Sequence, residues 1–420
     1  MSQVTKPTAI PQELLDLVID YLHDDKDTLR SCSLASKCLV DATYYHLFRS
    51  VTVKILTESR SQTQAGQKWD DFVTFVAGEP TAAGYIRRLC LDTPNPPTSP
   101  FEYHPDSYRT YPTLHLQSLV QVLGYLPSLE HLELYHLRIM TRTIEEHTLP
   151  HETHARCLRS LSLCWCALDD KVLALPAIFQ AIRPLKVSLH HVRCVTPTLH
   201  HLHCEGSSAL PLGLKLPMRV QSLQIIGAFP VFGCCDDDDL LRAIPGIMTC
   251  TYPSLREITL IGRGWEHNHF IFSPTLFSLQ NAPMLQSVVI GISLILNVGS
   301  ENQWDACLPL LSSLPPSVEN IQIDILPFKS LNDKLAIPFP DPKLLHEALL
   351  RLPTIRSLTF RWGLKEEDLR RGMGKILSER VSRLIPEMWK DGVLRCEWHH
   401  FNKIYQSTGV PTDMGLLFPI

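Results

Sequence analysis

Leu158-Arg159-Ser160-Leu161-Ser162-Leu163-Cys164-Trp165-Cys166 is the stretch on which the fold turns. Its first six positions run apolar, variable, variable, apolar, variable, apolar. The inner Leu-x-Leu has a period of two, so Leu161 and Leu163 point to one side of a strand and Ser162 to the other. A single strand of this length buries little, so the pattern carries weight only if it recurs.

Eight clear copies follow residue 80: IRRLCL (86–91), LEHLEL (129–134), LRSLSL (158–163), VQSLQI (220–225), LREITL (255–260), LQSVVI (285–290), VENIQI (318–323) and IRSLTF (355–360). Two weaker copies are IRPLKV (182–187) and LHHLHC (199–204). Successive starts lie 43, 29, 24, 17, 21, 35, 30, 33 and 37 residues apart. Six copies follow a proline two residues ahead: Pro127, Pro197, Pro253, Pro283, Pro316 and Pro353. Helix-like stretches precede several of them, at 116–126, 239–247 and 344–352. A proline stops a helix and a strand can then begin. The unit is helix, turn, Pro-x-apolar, short strand.

This unit resembles a leucine-rich repeat, and LRSLSLCWC matches the L-x-x-L-x-L-x-x-[NC] form, with Cys166 where that form uses a buried Asn or Cys. The resemblance implies an irregular solenoid with parallel strands on a concave face. Regular repeats run about 20 to 29 residues, so the short spacings between 182 and 220 predict turns in place of helices and the long ones predict insertions. A generic α/β domain with parallel strands is the alternative.

Ahead of the repeats stands IPQELLDLVIDYL (10–22), then HDDKDTL, SCSLASKCL and YYHLFRSVTV. Pro11 suits a first helical turn. Leu14, Leu15, Val18, Ile19 and Leu22 recur at three- and four-residue spacing, which predicts one apolar face. Asp24, Asp25 or Asp27 can cap a second helix, expected over 28–36, and a third is expected over 39–48. Three short helices enclose little surface and need a partner or a neighbouring domain. The alternative is an ordinary helical start to a globular domain.

Residues 10–53 resemble an F-box, in the form common in fungal (basidiomycete-type) F-box proteins. Leu39 and Val40 occupy a region where that family often has Trp, and Ala35 replaces a usual Val. The resemblance implies docking to the small Skp adaptor of a cullin–RING ubiquitin ligase. Ile10, Pro11, Leu14, Leu15, Val18, Leu22 and Leu34 would form the adaptor-facing surface, and some of them would instead hold the helices together.

The expected architecture is therefore α/β: a small N-terminal three-helix module (8–53), a helical linker (54–82), an irregular leucine-rich-repeat-like solenoid with parallel strands (83–380) and a C-terminal cap or tail (381–420). The 420 residues carry a formal net charge of −4, which offers no basic field for nucleic acid. The polar start MSQVTKPTAI lacks a signal-peptide core, and the longest apolar run, 287–298, falls short of the roughly 18 residues a membrane span needs. Thirteen scattered cysteines fit reduced thiols, hence a cytoplasmic or nuclear protein.

Chemical motifs are sparse. His151-Glu152-Thr153-His154 lacks the H-E-x-x-H spacing of a zinc site. His190-His191, His200-His201 and His203-Cys204 read as surface histidines, and Cys164-Trp165-Cys166 and Cys234-Cys235 lack C-x-x-C spacing. Asp236 to Asp239 reads as a solvated helix start. No phosphate loop, nucleophile elbow or dinucleotide fingerprint occurs. No cofactor, metal or catalytic residue is expected. Target contact is instead assigned to the polar side of the strands and to two loops. The strand row includes Arg88, Asp92, His131, Glu133 and Tyr135, continuing through Gln322, Asp324, Thr359 and Arg361. The loops are the Pro-rich 93–112, with Tyr103 and Tyr108, and 262–270, with Trp265 between glycines. The reading is a non-catalytic receptor that binds an adaptor and an unknown target protein. Its rivals are a non-ligase scaffold and an enzyme on an α/β frame.

Overall fold

A computed structural model of the chain describes residues 10–55, 67–93, 111–140, 158–168, 178–179, 182–190, 192–194, 219–226, 248, 251–261, 279–294, 303–327 and 339–400. The fold is α/β, and every described strand pairing is parallel.

Three short helices open it: α1 (Gln12–Tyr21), α2 (Lys26–Ala35) and α3 (Lys37–Phe48). Asp25 caps α2, its carboxylate accepting from the Thr28 amide at 3.0 Å. Then come β1 (Ser50–Lys54), α4 (Gln67–Gly78), α5 (Pro80–Tyr85), β2 (Arg88–Asp92), β3 (Thr113–His115) and α6 (Leu116–Tyr125). The middle of the chain supplies β4 (His131–Tyr135), β5 (Arg138–Met140), β6 (Ser160–Cys164), β7 (Ala167–Leu168), β8 (Lys186–His190) and β9 (Arg193–Cys194). The last strands are β10 (Ser222–Ile226), β11 (Glu257–Ile261), β12 (Ser287–Leu294), β13 (Asn320–Pro327), β14 (Ser357–Leu364) and β15 (Leu394–His400).

Among the described residues, eleven strands form one sheet in chain order, β1-β2-β4-β6-β8-β10-β11-β12-β13-β14-β15. All eight clear copies of the hexapeptide become strands, each strand beginning at the third position. The fourth and sixth positions, such as Leu132 and Leu134 or Ile258 and Leu260, are buried against helices and turns. One continuous core runs from Val53 to Leu394.

The recurrent Pro-[Ser/Thr] lead-in has a structural use. Ser254 donates its hydroxyl to the Val220 carbonyl at 2.9 Å, Ser317 to Leu285 at 2.8 Å and Thr354 to Val318 at 2.9 Å. Each acceptor is the first apolar residue of the preceding copy. The hydroxyl thus clamps one unit to the one before, contributing about 1 kcal/mol per bond.

A second sheet, β3-β5-β7-β9, runs beside the first. Only His136 and Leu137 separate β4 from β5, and only Trp165 and Cys166 separate β6 from β7. His136 (φ 53°) and Trp165 (φ 55°) adopt left-handed backbone to make these bends. Their amides bond the next strand's last carbonyl, His136 to Cys164 at 3.0 Å and Trp165 to His190 at 2.8 Å. Leu137, Cys166 and Val192 then turn inward at equivalent positions, fully buried. The Cys166 thiol donates to the Leu134 carbonyl at 3.3 Å, so this cysteine ties its bend to the end of β4.

Several expectations change. The weak copy at 182–187 is displaced by two residues: Val187 and Leu189 stand opposite Leu161 and Leu163, making the unit PLKVSL (184–189). The other weak copy, 199–204, lies outside the described residues. β8 and β10 are direct neighbours in the sheet. The sheet also extends past both ends of 83–380. β1 pairs with β2, and β15 pairs with β14. FRSVTV (48–53) is in fact a full copy of the hexapeptide, hidden because it also closes the helical motif.

Candidate functional site

Two surfaces gather the residues that sequence reasoning singled out. The first lies on the opening helices. α1 and α2 both pack on α3, and the trio encloses Ile19, Leu29 and Thr43. Gln12 reaches the Cys38 carbonyl at 2.8 Å, and the His46 ring meets the Asp20 carboxylate at 2.8 Å, so α1 is pinned to α3 at both ends.

That pinning decides which side of α1 faces out. Ile19 is fully buried, with Leu15 and Leu22 half-buried beside it. The opposite side shows Ile10 (63 % exposed), Leu14 (53 %), Leu17 (52 %), Val18 (56 %) and Tyr21 (81 %), and Leu34 on α2 is 89 % exposed. Pro11 is exposed as well. The single apolar face expected for α1 is therefore two stripes, one inward and one outward. Gln12, Glu13, Asp16 and Asp20 supply the polar remainder of the helix, so the outer stripe is apolar surface beyond what the packing on α3 uses. Leu17 and Tyr21 complete the outer stripe and were missed. Their spacing of 7 and 11 residues from Ile10 was the available signal.

The second surface is the side of β1, β2, β4 and β6 that faces away from the core. Arg88 stands opposite His131, Cys90 opposite Glu133 and Lys54 opposite Asp92. Asp92 accepts from the Lys54 ammonium at 2.6 Å and from the His136 ring at 3.3 Å. Burial works to raise the Asp92 carboxyl pKa, but these hydrogen bonds and the Lys54 charge outweigh it and hold it below the usual value. Arg88 grips Glu133 at 2.8 Å and 2.9 Å, Tyr135 donates to Glu133 at 3.4 Å, and His131 meets the Ser160 hydroxyl at 2.7 Å. Donating to the Glu133 carboxylate raises the Arg88 pKa. Burial pushes the Cys90 thiol up to about 11 and the Cys164 thiol up to about 12, so both are held protonated rather than as nucleophilic thiolates.

Arg88, Glu133 and Tyr135 are thus joined by hydrogen bonds, while on the same side Asp92 bonds Lys54 and His136 and His131 bonds Ser160. Trp265, Tyr103 and Tyr108 lie outside the described residues, as do His151, His154, the 200–204 histidines and Asp236 to Asp239. No family model matches the chain, and no curated protein matches it either. Among the described residues, no group of three or more His, Cys, Asp or Glu is arranged to hold a metal ion. No described helix is long and apolar enough to cross a membrane.

A third cluster sits further along the same side. Asp324 on β13 is fully buried and stands opposite Arg361 on β14. Arg361 donates to both its oxygens, at 2.8 Å and 2.5 Å, and Gln322 adds a third bond at 2.8 Å. Both oxygens of the carboxylate are engaged, so this pair is a strut between strands.

Proposed function

We propose that the chain is the substrate-recognition subunit of an SCF-type (Skp–cullin–F-box) E3 ubiquitin ligase. In this reading the opening helices are an F-box module, the sheet is the inner layer of a leucine-rich-repeat-like solenoid, and the protein works in the cytoplasm or nucleus. The observation that carries it is the outward stripe of α1. Ile10, Leu14, Leu17, Val18 and Tyr21, joined by Leu34, expose large apolar side chains that the sheet leaves uncovered. An apolar strip of this kind on a rigid helical frame marks a protein-binding site. Burying each such side chain is worth about 1.5–3 kcal/mol, enough in combination for a stable complex.

The mechanism is proximity. The adaptor end would join the chain to the cullin–RING assembly, and the polar patch around Arg88, Glu133 and Asp92 would hold a target protein near the ubiquitin-loaded enzyme. The local concentration of target lysines rises without a nucleophile on this chain. A non-ligase scaffold is the other reading, and covered helices would favour it.

The test is size-exclusion chromatography of the full chain mixed with a Skp-type adaptor. A stoichiometric complex is expected for the native chain and none for Leu14→Asp/Val18→Asp, with the thermal midpoint unchanged because both positions are exposed. Absence of a complex with the native chain would sink the ligase reading. Unfolding of the variant would make these residues core.

A further inference from the structure

We infer that the sheet edge at the N-terminal ends of β6, β8, β10 and β11 is a docking surface for an acidic segment of a protein partner. The inference concerns the sheet alone and holds whether or not the helices bind an adaptor.

The chain as a whole is acidic, at −4, yet the described residues of these four units carry mostly cations. Arg159, Arg183, Lys186, Arg219 and Arg256 all lie at or just before the strand starts, and all are exposed. Glu257 is the one acidic residue among the described residues of these units. The strand register aligns them. Ser160, Lys186, Ser222 and Glu257 stand in one row, Arg159 and Arg256 each sit one residue ahead of it, and Arg183 and Arg219 each sit three ahead. With strands about 4.8 Å apart, the row crosses about 15 Å. That is the reach of four or five residues of extended chain.

Elsewhere on the molecule, cations just ahead of strands are matched by acids: Arg87 meets Glu130 at 3.1 Å and Arg356 meets Glu319 at 3.4 Å. Within the edge itself, Arg159 also reaches Glu130, at 3.1 Å. Arg183, Lys186, Arg219 and Arg256 form no ion pair with a described residue. Four neighbouring like charges repel one another in the free protein, and carboxylates from a partner relieve that repulsion. An acidic peptide fits this edge better than a nucleic acid. Trp165, Phe179 and Tyr252, the described aromatic residues of these units, are buried, so none offers a face on which a base could stack. Glu257 also interrupts the row where a continuous phosphate backbone would pass.

The experiment is fluorescence anisotropy of a labelled oligoglutamate peptide against the full chain, at low and at physiological salt. Binding that weakens with salt is expected. Arg183→Glu/Lys186→Glu/Arg219→Glu should weaken it by about tenfold or more. Lys343→Glu/Lys375→Glu/Lys390→Glu, the same charge change at exposed positions remote in the sheet order, should stay within about twofold. Arg219→Glu alone, read the same way, serves if the triple variant does not fold. Equal losses in the two triple variants, or no binding at low salt, would overturn the inference. So would tighter binding of a single-stranded RNA of equal charge through the same arginines.

Discussion

The opening helices and the parallel sheet use apolar residues in opposite ways. In the sheet, the fourth and sixth positions of every clear hexapeptide copy are buried. In α1, four large apolar side chains stay more than half exposed, with Ile10 just ahead of the helix a fifth. The difference is geometric. Each strand is covered by its neighbours and by the helix or turn of its own unit, so the sheet encloses all that its pattern supplies. Three helices within about 40 residues have too little volume to enclose more than a small centre around Ile19 and Leu29. Surplus apolar surface in so small a body is available for another molecule.

The comparison can be broken at its strongest point first. Asp324→Ala strips Arg361 of its buried partner and should cost about 3–5 kcal/mol in denaturant unfolding, because an uncompensated charge remains between strands. A loss under about 1 kcal/mol would mean that water or another group takes over the arginine. Next, Leu161→Ala should cost about 2–5 kcal/mol, while Leu34→Ala should stay within about 0.5 kcal/mol. Similar losses at both sites would erase the contrast between the enclosed sheet and the open helices. The smallest effect tests the clamp between units. Thr354→Val should cost about 1 kcal/mol by losing the bond to the Val318 carbonyl, and no change would leave the repeated Pro-[Ser/Thr] lead-in as a turn signal only.

The fold was legible where local pattern and tertiary need coincide. The hexapeptide marks strands because period-two burial leaves the same trace wherever it occurs, and the helices at Leu116–Tyr125 and Pro342–Leu350 fall where their periodicity puts them. Legibility failed where a residue served two patterns. Phe48 to Val53 completes a helix and begins the sheet, and Ile182 imitates a strand position while being buried ahead of the strand. β15 was missed because Asp391 stands where the hexapeptide has its first apolar residue.

The candidate surfaces divide in the same way. The chain named Arg88, Asp92, His131, Glu133 and Tyr135 as outward residues, since alternation alone assigns a side. Their partners were invisible, because Lys54 is 38 residues from Asp92 and Arg361 is 37 from Asp324. The basic edge was missed for a related reason: its cations are scattered from 159 to 256 and meet only through strand register.

Local pattern is enough to say that parallel strands alternate with helices and turns, that their apolar residues share one side, and that the opening is helical. Those features follow from periodicities of 2 and 3.6 and from proline's missing N–H. Which of α1's two apolar stripes is spent on α3 and which is left to solvent, and which distant charges pair across the sheet, depend on the assembled fold. Helical periodicity assigns residues to a face but does not say what that face meets, and register between strands is set by packing over the whole array rather than within any one copy.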